Sequence, residues 1–197
     1  MELKISLITA TYNSYLTVTD TLKSVATQTH PDIEHIIIDG ESVDNTLSIV
    51  KKFPHVHTVV SEKDKGLYDA MNKGIALATG DVVGIINSDD FYAADDVIEK
   101  VAVAFQNPSV DMVYGDMQYV DKDNPSRIIR DWKAGPYRNA AFYYGWMPPH
   151  PTLFVRRSAY DLVGNFNTTL RTSADYELMI RLFVKHNLKS FYIPELL

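Results

Sequence analysis

Two adjacent carboxylates, Asp89 and Asp90, follow an apolar run from Val82 to Ile86 that breaks off at Asn87 and Ser88. Neighbouring acids repel, so both stay ionised only beside a cation or hydrogen-bond donors. A hard divalent metal with oxygen ligands, shared with the phosphates of a substrate, meets that need. The same pair also suits the approach to a helix, because Asp commonly caps helix starts and a helix is predicted from near Asp95. On these residues alone the two readings stand level.

Two more polar clusters end apolar runs: Thr9-Ala10-Thr11-Tyr12-Asn13 and Asp39-Gly40-Glu41-Ser42. Asp39-Gly40 also reads as a simple turn with glycine in the left-handed region. Further on, Asp69, Asn72 and Lys73 share one helical face, opposite Leu67, Met71 and Ile75. The plain alternative is a solvated face with an Asp69–Lys73 ion pair, worth only a few tenths of a kcal/mol. Glu62, Lys63, Asp64 and Lys65 read the same way, as a mixed-charge loop.

The elements that must position these clusters alternate through the first half. Strands are predicted at Leu3 to Thr9, Glu34 to Asp39, His57 to Ser61 and from Val82 to Asn87. Between them, Tyr15, Val18, Leu22 and Val25 recur at helical spacing. Asp44 reads as a cap before Leu47, Val50 and Phe53, and Leu67, Met71, Ile75 and Ala78 mark a third helix closed by Gly80. This β-α-β-α-β-α-β order implies a mostly parallel sheet with helices on both faces. Parallel strands bring the three polar clusters to one sheet edge, where ligands of open α/β sheets bind.

The second half breaks the rhythm. A helix is predicted from about Asp96 to Phe105. Asp111 to Val120 and Arg127 to Trp132 form a hairpin around DKDNPS, Thr152 to Val155 resumes a strand, and Asp175 to Val184 is a helix. Gly135 to Pro151, rich in aromatics, Gly and Pro, reads as an irregular loop or short helix over the sheet edge, where recognition usually occurs. The terminal FYIPELL reads as a strand and the start of something further, as in a chain cut short or a protein with a small carboxyl end.

Composition narrows the function classes. At 197 residues, 46% apolar and 22% charged, the chain is sized for one well-buried domain. A net charge of -6 argues against general nucleic-acid binding but leaves room for a single nucleotide. With no cysteine there are no disulfides, thiolate metal sites or cysteine nucleophiles, as suits a reducing cytoplasm. The amino-terminal apolar run is too short for a signal peptide, and no segment approaches the ~20 apolar residues of a spanning helix. The loop after the first strand, TATYNS, has no glycine. It therefore fits neither the dinucleotide fingerprint nor a P-loop nor a sugar-nucleotide pyrophosphorylase.

SLITATYNS, IIIDGESVDNT and SEKDKGLYDAMNKGIALATGDVVGIINSDD, in that order and spacing, closely resemble the nucleotide-binding half of the family-2 glycosyltransferases. HPTLFVRRSAY and TSADYELMIRL resemble that family's acceptor half, and the branch resembled is the bacterial one that assembles surface polysaccharides. The resemblance implies the GT-A fold: α/β, a Rossmann-like, mostly parallel sheet flanked by helices, with an antiparallel element in the second half. It implies one domain over residues 1–197, with residues 1–90 binding the nucleotide sugar and 91–197 the acceptor.

The implied reaction is inverting transfer of a sugar from a nucleotide-diphosphate donor to a hydroxyl, with Mn2+ or Mg2+. Thr9, Tyr12 and Asn13 match the loop that holds the nucleotide, and Asp39 the acid that reads the base. Lys65, Asp69 and Asn72 match the segment that closes the pocket. Asp89 and Asp90 match the metal and ribose end of the DxD element, whose first acid is replaced by Asn87. Asp175 matches the general base that takes the acceptor proton. Thr172 and Asp175 also have capping-box spacing, and Glu177 is the other nearby acid.

His150 falls near the family's diphosphate or acceptor position. Trp146, Tyr143 and Tyr144 could stack on acceptor sugars, and Arg156, Arg157 and Arg171 could hold phosphate, against core or lid aromatics and surface arginines as the plain alternatives. UDP, the family's commonest nucleotide, is the expected donor carrier, and a sugar or lipid-linked saccharide the acceptor. Nucleotide sugars are made in the cytoplasm, and no basic amphipathic helix supports more than peripheral contact with the inner face of the membrane. The competing reading is a non-catalytic binding or scaffolding member of the same fold.

Overall fold

Short β-branched runs become strands because pleated, two-side-buried positions suit them. The computed structural model describes residues 3–197. It has β1 (Ile5–Thr11), α1 (Val18–Ala26), β2 (Ile33–Asp39), α2 (Thr46–Val50), β3 (Val56–Ser61), α3 (Leu67–Leu77), β4 (Val82–Ile85) and α4 (Val97–Ala104). Then come β5 (Met112–Val120), β6 (Ile128–Trp132), β7 (Phe154–Arg156), α5 (Arg157–Val163), α6 (Ala174–Met179) and β8 (Ser190–Leu196).

The described residues build one eight-stranded sheet in the order β3-β2-β1-β4-β7-β5-β6, with β8 added to β5. The β3-β2-β1-β4 part is parallel, β7 pairs antiparallel with β4 and β5, and β6 pairs antiparallel with β5. This is the α/β architecture expected from the alternation, with the antiparallel element in the second half. Strand order reverses between β1 and β4, so the loops after those two strands diverge and open a crevice.

Alternate side chains of the strands feed the two faces. Ile8, Ile36 and Ile38 pack with Met71 and Ile75 of α3 and with Leu178 and Met179 of α6. Ile5, Leu7 and Val82 pack with Val97, Ile98 and Val101 of α4, and Val18 and Leu22 of α1 cover Ile37. Gly84 is needed at its place in β4, because a Cβ there would meet the Phe154 ring of β7 at 2.5 and 2.6 Å.

Four features differ from the sequence reading. β1 runs two residues past Thr9, because Thr11 still pairs with Asp39. A 3-10 turn at His150–Thr152, seeded by Pro151, delays β7 to Phe154. Arg157–Val163 forms a helix that the sequence did not announce, ended by Gly164 at a φ of 82°. The final helix loosens after Met179 into a π-helical stretch, Ile180–Lys185.

Candidate functional site

The loops after β1, β2 and β4 are stitched together at the carboxyl edge of the parallel strands. Asn13, at a φ of 49°, receives the Val43 N–H on its side-chain oxygen and donates its own N–H to Ser42 Oγ. Ser14 N–H donates to Thr46 Oγ1, and its hydroxyl lies 2.9 Å from that of Ser88. Tyr12 is 63% exposed. Its ring approaches Gly40, where an added Cβ would lie 3.3 Å from Tyr12 Cδ2 and 2.8 Å from Asp64 Oδ2. The glycine at 40 keeps that approach open.

Asp39 is fully buried and fastens its own loop. It accepts from Ser42 N–H and Oγ on its two oxygens and from Ser61 Oγ on Oδ2. A carboxylate has about four acceptor positions, so one remains for a donor outside the loop.

Beside this edge lies a cleft of about 350 Å³. Asp89 and Asp90 enter it from β4, Tyr68 and Met71 from α3, His150 from the 3-10 turn and Asp175 from α6; Met117, Tyr119 and Trp132 enter from the β5–β6 hairpin. Asn87 Nδ2 donates to Asp90 Oδ2 at 2.7 Å. Burial, and secondarily the Asp89 charge, holds the Asp90 carboxyl above its ordinary range despite that bond. Burial holds His150 below the ordinary imidazole value, against the pull of the Asp175 carboxylate.

Asp175 sits within the first turn of α6, whose N-cap is Ser173 in the left-handed region with no side-chain cap bond. Instead of a capping-box link to Thr172, Asp175 Oδ1 accepts a 2.9 Å hydrogen bond from Tyr68. Glu177 is held by Arg181 through two 2.8 Å contacts. Asp175 is thus the acid at this helix start that belongs to the cleft.

A divalent cation fits the residues present. Among the described residues no cluster of three or more His, Cys, Asp or Glu side chains forms a closed metal site. Two hard carboxylates side by side in a cleft match a cation that completes its shell with phosphate oxygens.

The structure brings Asp89, Asp90, His150 and Asp175 together and distributes the other expected residues elsewhere. Thr9 is fully buried, its hydroxyl 3.0 Å from His35 Nε2, because β1 continues beyond it; it faces the interior and not the nucleotide loop. Asn72 is a clasp, donating to Phe166 O and accepting from Phe166 N–H, both at 2.9 Å. Trp146 is partly buried and packs against the core. Its indole N–H donates to Ala134 O at 2.7 Å, and its ring packs on Tyr114, Tyr137, Phe142 and Phe183.

Asp69 reaches back to the Lys65 N–H at 2.9 Å and lies 3.8 Å from Lys73, steadying the start of α3. Lys65 is exposed there, and Arg171 is exposed in the turn before α6. Arg156 and Arg157 are occupied by backbone carbonyls. Tyr68, Tyr119 and Trp132 were missed as site residues. Tyr68 stood in plain view inside GLYDAMNKG, but its partner lies far along the chain.

A family model described as Glycosyl transferase family 2 matches residues 6–164. The PGL/p-HBAD biosynthesis glycosyltransferase of Mycobacterium bovis (strain BCG / Pasteur 1173P2) is 31% identical over 197 residues, covering 95% of this chain and 73% of that protein. Among solved structures, S. aureus TarS 1-349 in complex with UDP-GlcNAc superposes with a TM-score of 0.78 at 21% identity over 98% of this chain. The mannosyltransferase PcManGT from Pyrobaculum calidifontis, in complex with GDP-Man and Mn2+, gives 0.71 at 19% identity over 99%. This chain spans 56% of each of those two solved chains, and the likeness shows a shared fold.

Proposed function

This chain belongs to glycosyl transferase family 2, and from that membership we propose that it moves a sugar from a nucleotide-diphosphate donor to a hydroxyl acceptor, inverting the anomeric carbon. The observation that carries the reading is the convergence of Asp89 and Asp90 with Asp175 in one cleft. Donor-side carboxylates and a separate proton acceptor across one open space are what in-line displacement at the anomeric carbon requires.

In this reading residues 1–90 bind the donor and 91–197 the acceptor within one GT-A domain. Tyr12, Asn13 and Asp39 shape the nucleotide loop, with the last acceptor position of Asp39 turned to the base. Lys65 and Asp69 form the helix start that borders the phosphates. Asp89 and Asp90 would hold Mn2+ or Mg2+, whose chemistry is to neutralise charge developing on the leaving diphosphate. Asn87 steadies Asp90 in place of a first acid. Asp175 accepts the proton of the attacking hydroxyl, and His150, kept neutral by burial, lines the path between the two.

The solved neighbours bind UDP-GlcNAc and GDP-Man, which supports a UDP- or GDP-linked sugar as donor, UDP first. The curated relative is a PGL/p-HBAD biosynthesis glycosyltransferase by name, and the reading takes a saccharide or lipid-linked saccharide as acceptor, in cell-surface polysaccharide assembly. Among the described residues no helix is long and apolar enough to cross a membrane. Nucleotide sugars are made in the cytoplasm, and the reading sets the reaction there, with peripheral contact at the inner face of the membrane.

The test is a thermal-shift titration of UDP, GDP, dTDP and CDP, each with Mn2+ and with EDTA. Stabilisation by one diphosphate that requires metal and disappears in Asp90→Ala is the expected result. Stabilisation by none of them sinks the transferase reading in favour of a non-catalytic member of the fold.

A further inference from the structure

The β5–β6 hairpin carries an aromatic face that the fold itself does not use. Cross-strand pairing sets Met117 opposite Trp132 and Tyr119 opposite Arg130. With side chains alternating along each strand, these four share one face. The Arg130 guanidinium carbon lies 5.7 Å from the centre of the Tyr119 ring and 5.1 Å from that of Trp132. Among the described residues no side-chain hydrogen bond or ion pair engages the Arg130 guanidinium, and its contacts are with the two rings.

Tyr119 remains 44% exposed, and Trp132 is only half-buried. Yet Met117, Tyr119 and Trp132 line the cleft that holds Asp175. Large rings left wet at the rim of a cleft, and braced there, are placed for a ligand rather than for the core. Trp146 makes the contrast, with its ring packed among four aromatic neighbours.

We propose that this hairpin face, with Trp132 at its centre, is the platform on which a pyranose ring of the acceptor glycan stacks. The inference rests on the transferase reading and names where its acceptor sits. A pyranose presents one face of C–H groups that is apolar and flat, which an indole or phenol ring covers without needing a hydrogen bond. Its rim hydroxyls stay free for the solvent and for the carboxylate that takes the proton. Stacking therefore orients the ring while leaving the attacking hydroxyl accessible to Asp175.

The chain has two tryptophans, one in this face and one packed among aromatic rings against the core, so emission can report binding site by site. The intact chain is applied, without nucleotide, to an immobilised panel of microbial oligosaccharides, and retained sugars are then titrated in solution while tryptophan emission is recorded. At least one saccharide is expected to bind and to change the emission. Trp132→Ala should weaken it by about tenfold or more, and Trp132→Phe by no more than about threefold. Trp146→Phe should keep the emission change, and metal-dependent stabilisation by diphosphate should persist in Trp132→Ala as proof of its fold.

Equal binding by Trp132→Ala, an emission change that resides in Trp146, or a panel from which nothing is retained overturns the platform. Because nucleotide is absent, these results are separate from the donor titration. Diphosphate binding with no saccharide at Trp132 overturns the platform alone. Saccharide binding at Trp132 with no diphosphate binding sinks the transferase reading and leaves a glycan-binding face.

Discussion

The Tyr68 hydroxyl, in the first turn of α3, donates a 2.9 Å hydrogen bond to Oδ1 of Asp175, in the first turn of α6, across 107 positions of chain. Burial first, and then the bond and charge of Asp175, hold the phenol above its ordinary range, so it remains a donor at neutral pH. One carboxylate oxygen is thereby fixed, and in the proposed reaction the other is left for the acceptor hydroxyl. The Tyr68 ring is fixed in turn, stacked on Phe166 at 5.5 Å. Phe166 also meets the His150 ring edge-on at 5.7 Å.

Tyr68 is accordingly a positioning residue, and Tyr68→Phe should separate orientation from binding. We expect kcat to fall by about tenfold or more, while the affinity for the donor diphosphate stays unchanged. A parallel loss of diphosphate affinity would instead make Tyr68 a donor contact.

Asp175→Asn removes the proposed proton acceptor but keeps the shape and the Tyr68 bond. Transfer should fall by at least about a hundredfold, with metal-dependent stabilisation by diphosphate intact. Glu177→Gln is the matched control, since Glu177 serves Arg181, which also ties down the Val163, Gly164 and Asn165 carbonyls. Its partly exposed ion pair is worth about 1 kcal/mol at most, so it should cost stability and spare the rate. If Asp175→Asn loses diphosphate binding and transfer alike, Asp175 only builds the helix start.

Asn72 tests whether the clasp on Phe166 supports the site from outside it. Asn72→Ala removes both hydrogen bonds to the Phe166 backbone, which should cost about 1–3 kcal/mol in urea unfolding. Because Phe166 backs both Tyr68 and His150, the rate should fall as well, although Asn72 does not line the cleft. Full activity at reduced stability would show that Phe166 holds its place without the clasp.

The parallel half was legible because its strands are uninterrupted apolar runs, and polar residues can only follow where such runs end. Asp89 and Asp90 were found on that logic. The same logic misplaced Thr9: a threonine-rich strand end looks like a loop, and only the pairing of Thr11 with Asp39 shows that β1 continues.

Composition marked Gly135 to Pro151 as aromatic but could not orient its rings. Trp146 turns inward because Phe183, in the π-helical stretch, and Tyr114 of β5 offer it a pocket. Tyr143 and Tyr144, three and two residues earlier, point to solvent. Tyr68 with Asp175, and the hairpin face with the cleft, are tertiary relations that no local period records.

The acid limb of stability should have two onsets, set by neighbouring residues of β2. His35 is fully buried, with Nε2 3.0 Å from Thr9 Oγ1 and Nδ1 3.1 Å from His55 Nε2. Burial, then the charges of His55 and His57, lower it from 6.5 to about 3. The folded chain thus keeps His35 neutral where the unfolded chain protonates it. This contribution is complete above pH 6.5 and is lost as pH falls below it, at about 1.4 kcal/mol per pH unit.

Glu34 acts later. Burial works to raise it, but hydrogen bonds from Ser6, Thr79 and Lys4 prevail and lower it from 4.5 to about 2. Its contribution is present above pH 4.5 and lost as pH falls toward 2. Urea unfolding at stepped pH should therefore show stability declining from about pH 6.5 and steepening below 4.5. In His35→Gln the first decline should flatten, at lower stability near neutrality, while the second persists. Equal slopes for the two proteins between pH 4.5 and 6.5 would mean that the buried histidine does not set the first onset.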